Sequence, residues 1–105
     1  MVADPDWLTF DDFAGRVGER FEVYGAEDRV LATELVEATE GSQLGGPGPD
    51  GSQRRQFSLV FRGPSTPLLA QGTYRLVHAE LGELALFLVP IGPDDAGPRY
   101  EAAFA

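Results

Sequence analysis

The residues best placed to do chemistry are His78, the one imidazole in the chain, and the carboxylates Glu80 and Glu83 that follow it closely. A histidine beside a carboxylate can be tuned to accept and return a proton near neutral pH. A histidine at the end of a strand also bonds turn backbone or packs on the sheet, and this structural role is the stronger expectation. No nucleophile accompanies it. Ser42, Ser52, Ser58 and Ser65 fall in expected loops or on an outer face, without the elbow pattern that activates a hydroxyl. The absence of Cys removes thiol catalysis, disulfides and Cys-type zinc sites, and a single His cannot form an imidazole cluster. The pairs Asp11/Asp12, Glu27/Asp28 and Asp94/Asp95 lack calcium-loop spacing; helix capping accounts for the first and turn chemistry for the others. GGPGPDG (45–51) lacks the spaced glycines and the Lys of a phosphate cradle. The sequence therefore predicts no catalytic residue, no metal site and no cofactor.

The elements that must carry these residues fit one domain, because 105 residues support a single core. The 17 acidic and 8 basic residues give a net charge of −9, which repels phosphate backbones and anionic lipid unless Arg is locally concentrated. Nucleic acid is thus not an expected partner. All the cations are Arg, and Lys and Asn do not occur, a bias that reads as high-GC codon usage. Neither an 18-residue apolar run nor a cationic leader with an apolar stretch is present, so the sequence predicts a bacterial, cytoplasmic protein without signal peptide or membrane insertion.

A helix is predicted over residues 9–17, with Thr9 as N-cap, Asp11 and Asp12 in the first turn and Gly18 as stop. Its buried face would be Phe10, Phe13, Ala14 and Val17, with Trp7 and Leu8 packed just ahead. From Arg20 onward the hydrophobic period falls to two, in short runs divided by Gly, Pro and Asp. Six strands follow, at about 20–24, 30–38, 56–62, 72–78, 83–91 and 99–104. Phe57, Leu59 and Phe61 point inward from the third, with Val60 an apolar outward position; Tyr74, Leu76 and His78 share one side of the fourth. The fifth is apolar on both faces, which predicts a central or doubly covered strand, and Pro90 ends its ladder or marks a bulge. The stretch 41–55, rich in Gly and Pro, reads as a mobile loop, 63–71 as an irregular crossing, and 79–82 and 92–98 as hairpin connections. The fold class is mainly β with one N-terminal helix (α+β): six antiparallel strands closing into a small barrel or a two-layer sandwich, with the helix packed on or plugging it.

FSLVFRGP (57–64), LLAQGTYRLVHAELGELALFLVPIGPD (68–94) and YEAAF (100–104), preceded by a helix and GERFEV (18–23), resemble a family of small bacterial proteins classed as a domain of unknown function. The resemblance covers nearly the whole chain and implies an accessory component of a phage-tail-like or fibre-like structure. It marks Arg62, Gly63, Pro64, Gln71, Gly72, Tyr74, His78, Leu81, Gly82, Pro90, Tyr100 and Glu101. Several have structural readings: Gly72 and Gly82 supply turn backbone and Pro90 a bulge.

Gln71, His78 and Glu101 are candidate interaction residues, because a polar group on a strand must be paired or exposed. Arg62 and Arg75 join them on a proposed contact face that also carries Val60 and Val77; an exposed edge strand is the other contact surface considered. Tyr24, Tyr74 and Tyr100 are core candidates before they are interface anchors. The expected function is a non-catalytic protein-binding or assembly module, whose partner is a tail-collar-like fibre protein or a second copy of the chain. Two alternatives are a barrel binding a small molecule among Tyr74, Leu76, Leu86 and Tyr100, and an enzyme using His78 with a carboxylate.

Overall fold

Alternating apolar residues in Arg20–Tyr24 (β1), Val30–Pro47 (β2), Gln53–Arg62 (β3), Gly72–His78 (β4), Gly82–Asp94 (β5) and Gly97–Phe104 (β6) form six antiparallel strands. They close into a barrel in the order β1-β2-β3-β6-β5-β4, with β4 pairing back to β1. This computed structural model describes residues 8–25, 29–47, 53–65 and 68–104. The predicted packing of Trp7, the Glu27/Asp28 pair, Ser52 and residues 48–51 of the Gly/Pro stretch lie outside those residues. Closure satisfies the backbone of both would-be edges where the strands ring the barrel and excludes a sandwich, while among the described residues β2 beyond Leu35 and β3 before Phe57 pair only with each other.

One apolar cluster fills the interior. Phe21 and Val23 from β1, Leu31 and Leu35 from β2, Phe57, Leu59 and Phe61 from β3, Leu76 from β4, Leu84, Leu86 and Leu88 from β5, and Tyr100 and Ala102 from β6 are all buried in it. So small a barrel is filled by side chains. Tyr100, Leu76 and Leu86, expected to line a ligand cavity, are core residues instead. Tyr100 reaches the mouth of the barrel, where its hydroxyl accepts the Leu69 N–H at 2.9 Å. Gly63 packs so closely there that a Cβ would stand 3.3 Å from the Tyr100 ring, and its N–H bonds Pro98 O at 3.0 Å.

The N-terminal helix is a single turn, Asp11–Ala14 (α1), shorter than the predicted 9–17. Phe10 occupies the cap position without a side-chain bond, and Thr9 acts differently from expectation: the Asp12 carboxylate accepts its N–H at 2.8 Å and its hydroxyl at 3.3 Å. The chain then turns at Gly18, whose φ of 96° is a left-handed conformation suited to glycine, and its N–H bonds Leu35 O at 2.7 Å. That turn takes Val17 out of the predicted buried face, leaving it exposed together with Ala14. Phe13 alone is fully buried on α1, and it plugs the opposite end of the barrel against Phe21, Phe57 and Phe104 at ring separations of 6.3, 5.9 and 6.0 Å.

Three further expectations are corrected. Residues 41–47 and 53–55 are strand, with Leu44 paired to Arg55 and Pro47 to Gln53 across register shifts. Bulges let a Gly- and Pro-rich segment stay in a ladder, and Gly41 sits where a Cβ would meet Gln56 O at 3.3 Å. Pro90 pairs with Tyr100 inside an unbroken stretch of the β5–β6 ladder. β4 begins opposite Leu88, so residue 90 has no strand on its other side and the missing N–H costs no ladder bond. Finally, β5 lies between β4 and β6, the central position that is one of its two expected settings, but it is not covered on both faces: Leu84, Leu86 and Leu88 point in, while Phe87 is 50% exposed on the outside.

Candidate functional site

His78 closes β4 with its ring buried beside Phe21, centroids 4.5 Å apart. Its Nδ1 accepts the N–H groups of Glu80 and Leu81 at 3.0 and 3.1 Å, which places the proton on Nε2. Nε2 then donates to Glu19 Oε1 at 2.7 Å. The carboxylate partner is therefore Glu19, not Glu80 or Glu83. Glu80 gives only its backbone to the ring, while its carboxylate binds Arg16 at 3.0 Å; Glu83 binds Arg75 at 3.1 Å. Arg16 also contacts Glu19 at 3.4 Å. The hydrogen bond from His78 holds the Glu19 carboxyl below its ordinary value of 4.5 against the opposing effect of burial, and the contact with Arg16 lowers it further. Both ring nitrogens are thus engaged, Nδ1 in holding the β4–β5 turn, whose Gly82 has φ 78°, and Nε2 in holding Glu19. This network ties α1, β1 and the hairpin together, which is a structural task.

The outer wall carries a different arrangement. Cross-strand register aligns Arg20 with Glu34, Glu34 with Arg62, Arg62 with Arg99 and Arg99 with Ile91, so these five residues form one row over β1, β2, β3, β6 and β5. Paired residues share a face of the sheet, and the neighbouring row Leu35, Phe61, Tyr100 faces inward. Three guanidiniums and one carboxylate thus stand together on a chain of net charge −9. Arg20 contacts Glu22 at 3.5 Å, and Arg99 donates Nε–H to Gly92 O at 2.9 Å, which anchors its guanidinium.

Two surface clefts flank the Arg62–Arg99 pair. One, of about 420 Å³, is lined by Arg20, Glu34, Arg62, Gly63 and Pro64 among others. The other, about 360 Å³ and more enclosed, is apolar, with Leu68, Leu69, Pro90, Ile91, Pro93 and Pro98 as its walls, Tyr100 at its base and Arg99 at its rim. Leu68 is 69% exposed there. The Gly63–Pro98 hydrogen bond joins the two clefts. A third cleft, of about 390 Å³, lies on the other side of β3 and β6 between Thr39, Gln56, Phe57 and Phe104.

The residues singled out from sequence do not converge. Arg62 lies in the basic row, and Gln71 is exposed at the bend before β4. Arg75 stacks on Tyr24, 4.1 Å from the ring centroid, and is engaged by Glu83. Glu101 is half-buried opposite Val60 and Val89. β3 and β4 are on opposite sides of the barrel, so Val60 and Arg62 cannot share a contact face with Arg75 and Val77, and Val60 is itself buried at 6% exposure. Arg20, Arg99 and the proline-walled cleft went unnoticed in the sequence; GPRY at 97–100, with two prolines in β5, was the available signal.

Among the described residues, no group of three or more His, Cys, Asp or Glu side chains gathers to hold a metal ion, and no helix is long and apolar enough to cross a membrane. No curated protein and no solved structure matches the chain. The match is to a family model that spans residues 8–104, from the residue before the capping turn to the last residue of β6, and the chain belongs to that family, the domain of unknown function DUF6916.

Proposed function

We propose that the protein is a non-catalytic protein-binding module and that the apolar cleft at the barrel mouth is its contact site. The observation that carries this reading is the exposure of Leu68 beside three prolines and Ile91 in a half-enclosed hollow of about 360 Å³. Solvated apolar surface of this kind is unfavourable unless a partner covers it, and prolines hold such a hollow in shape without further ordering on binding. The engagement of both His78 nitrogens, by the β4–β5 turn and by Glu19 just before β1, supports binding over catalysis. The resemblance of the sequence extends the proposal to an accessory component of a phage-tail-like or fibre-like assembly, with a fibre protein as partner.

A Leu68→Asp variant places a charge in the hollow without touching the core. It is expected to fold with an unchanged melting temperature within a few degrees, and to lose at least tenfold in affinity for whatever protein the unmodified chain retains from its source cells, since one buried leucine is worth about 1.5–3 kcal/mol. Equal retention by both proteins would remove the cleft as the contact site.

A further inference from the structure

We infer that the occupant of this surface is an extended acidic segment of a protein partner, one apolar side chain seated in the mouth cleft and carboxylates lying on Arg99 and Arg62. The inference rests on the protein-binding reading above and adds the chemistry of the partner.

The apolar and the charged parts of the surface are continuous. Ile91 is at once a wall of the apolar cleft and the end of the row that runs through Arg99, Arg62 and Glu34 to Arg20. Four strand spacings separate its ends, about 19 Å along the wall, which an extended chain of about six residues spans. The two steps from Ile91 to Arg62 cover about 10 Å, so carboxylates within about two to four residues of the apolar anchor reach both guanidiniums. Arg is the cation suited to this task, because its planar fork receives a carboxylate through two parallel hydrogen bonds. The Arg99 guanidinium is already oriented by its bond to Gly92 O. Glu34 lies between Arg20 and Arg62 and would repel an acidic chain carried further, which confines the favourable stretch to the Arg62–Arg99–Ile91 end.

Charge decides against the other chemistries. A neutral apolar segment would use the cleft but gain nothing from the guanidiniums beside it. A second copy of the chain would bring an overall charge of −9 against a charge of −9, a long-range repulsion that an unrelated partner with one local acidic segment avoids.

The test is selection of short random peptides displayed on a carrier, using the full chain as bait in parallel with Leu68→Asp and with Arg62→Glu/Arg99→Glu. The expected result is enrichment of peptides with one Leu, Ile, Val or Phe followed closely by Asp or Glu. Their dissociation constants, measured by fluorescence anisotropy, should rise about tenfold or more with Arg99→Glu and fall short of that with Arg99→Gln, and should rise with added salt. The glutamine variant keeps the outcome readable if charge reversal disturbs the fold. Enriched peptides that are neutral or basic, and bind the charge-reversed protein equally, overturn the inference; if they still fail on Leu68→Asp, the cleft remains a protein-binding site. Enrichment no different from Leu68→Asp for every peptide overturns both.

Discussion

Phe13→Ala is expected to cost about 3–5 kcal/mol, the largest effect of any single truncation in the N-terminal segment. Phe13 is fully buried and is the one residue of α1 that enters the barrel. It touches a stacked pair: the rings of Phe57 and Phe104 lie 4.3 Å apart and nearly parallel, and Phe21 lies on its other side. Truncation opens a void among rigid rings that cannot collapse inward, because each is fixed on a different strand. A domain of this size has a total stability of about 5–15 kcal/mol, so urea unfolding should show a midpoint reduced by about a fifth or more. A loss under 1 kcal/mol would mean that the turn is not a plug but an appendage.

His78→Ala comes next, at about 2–4 kcal/mol. It strips the acceptor from two backbone N–H groups and removes the ring from Phe21. His78→Asn separates these contributions: its side-chain oxygen occupies nearly the place of Nδ1, so it should recover part of the loss while the contact with Glu19 stays broken. The acid limb of the stability curve is a second readout. Glu19 has its folded value lowered, chiefly by His78, so its contribution is fully present above 4.5 and is lost as pH falls through the lower folded value. Both variants should therefore lose less stability between neutral pH and this acid window than the parent does. An Ala variant as stable as the parent would contradict the assignment of His78 to the turn.

Much of the barrel was legible in the sequence because one inward face imposes a period of two. β1 and β4 begin and end where alternation places them, and Phe57, Leu59 and Phe61 point inward as their spacing requires. Composition misled at 41–47 and 53–55, where a reading as loop gave way to a bulged antiparallel pair. Val60 showed a further limit: an outward position can still be buried, and alternation says nothing of what neighbouring strands lay over it.

The site was less legible for a geometric reason. The partner of His78 is 59 positions away, brought to it by the left-handed turn at Gly18, whereas the nearby Glu80 and Glu83 face Arg16 and Arg75. The arginine row depends on the register of five strands, and no local pattern announces that residues 20, 34, 62, 99 and 91 stand side by side. Only barrel closure, with β6 inserted between β3 and β5, brings Arg62 next to Arg99.

Backbone amide shifts recorded during titration with an acidic, single-leucine peptide test the central claim most directly. The account predicts that the perturbed amides cluster at Arg62, Gly63, Leu68, Leu69, Ile91 and Arg99, with Glu19, His78 and Leu81 unmoved. Shifts centred on His78 and Glu19, with the mouth of the barrel silent, would contradict it.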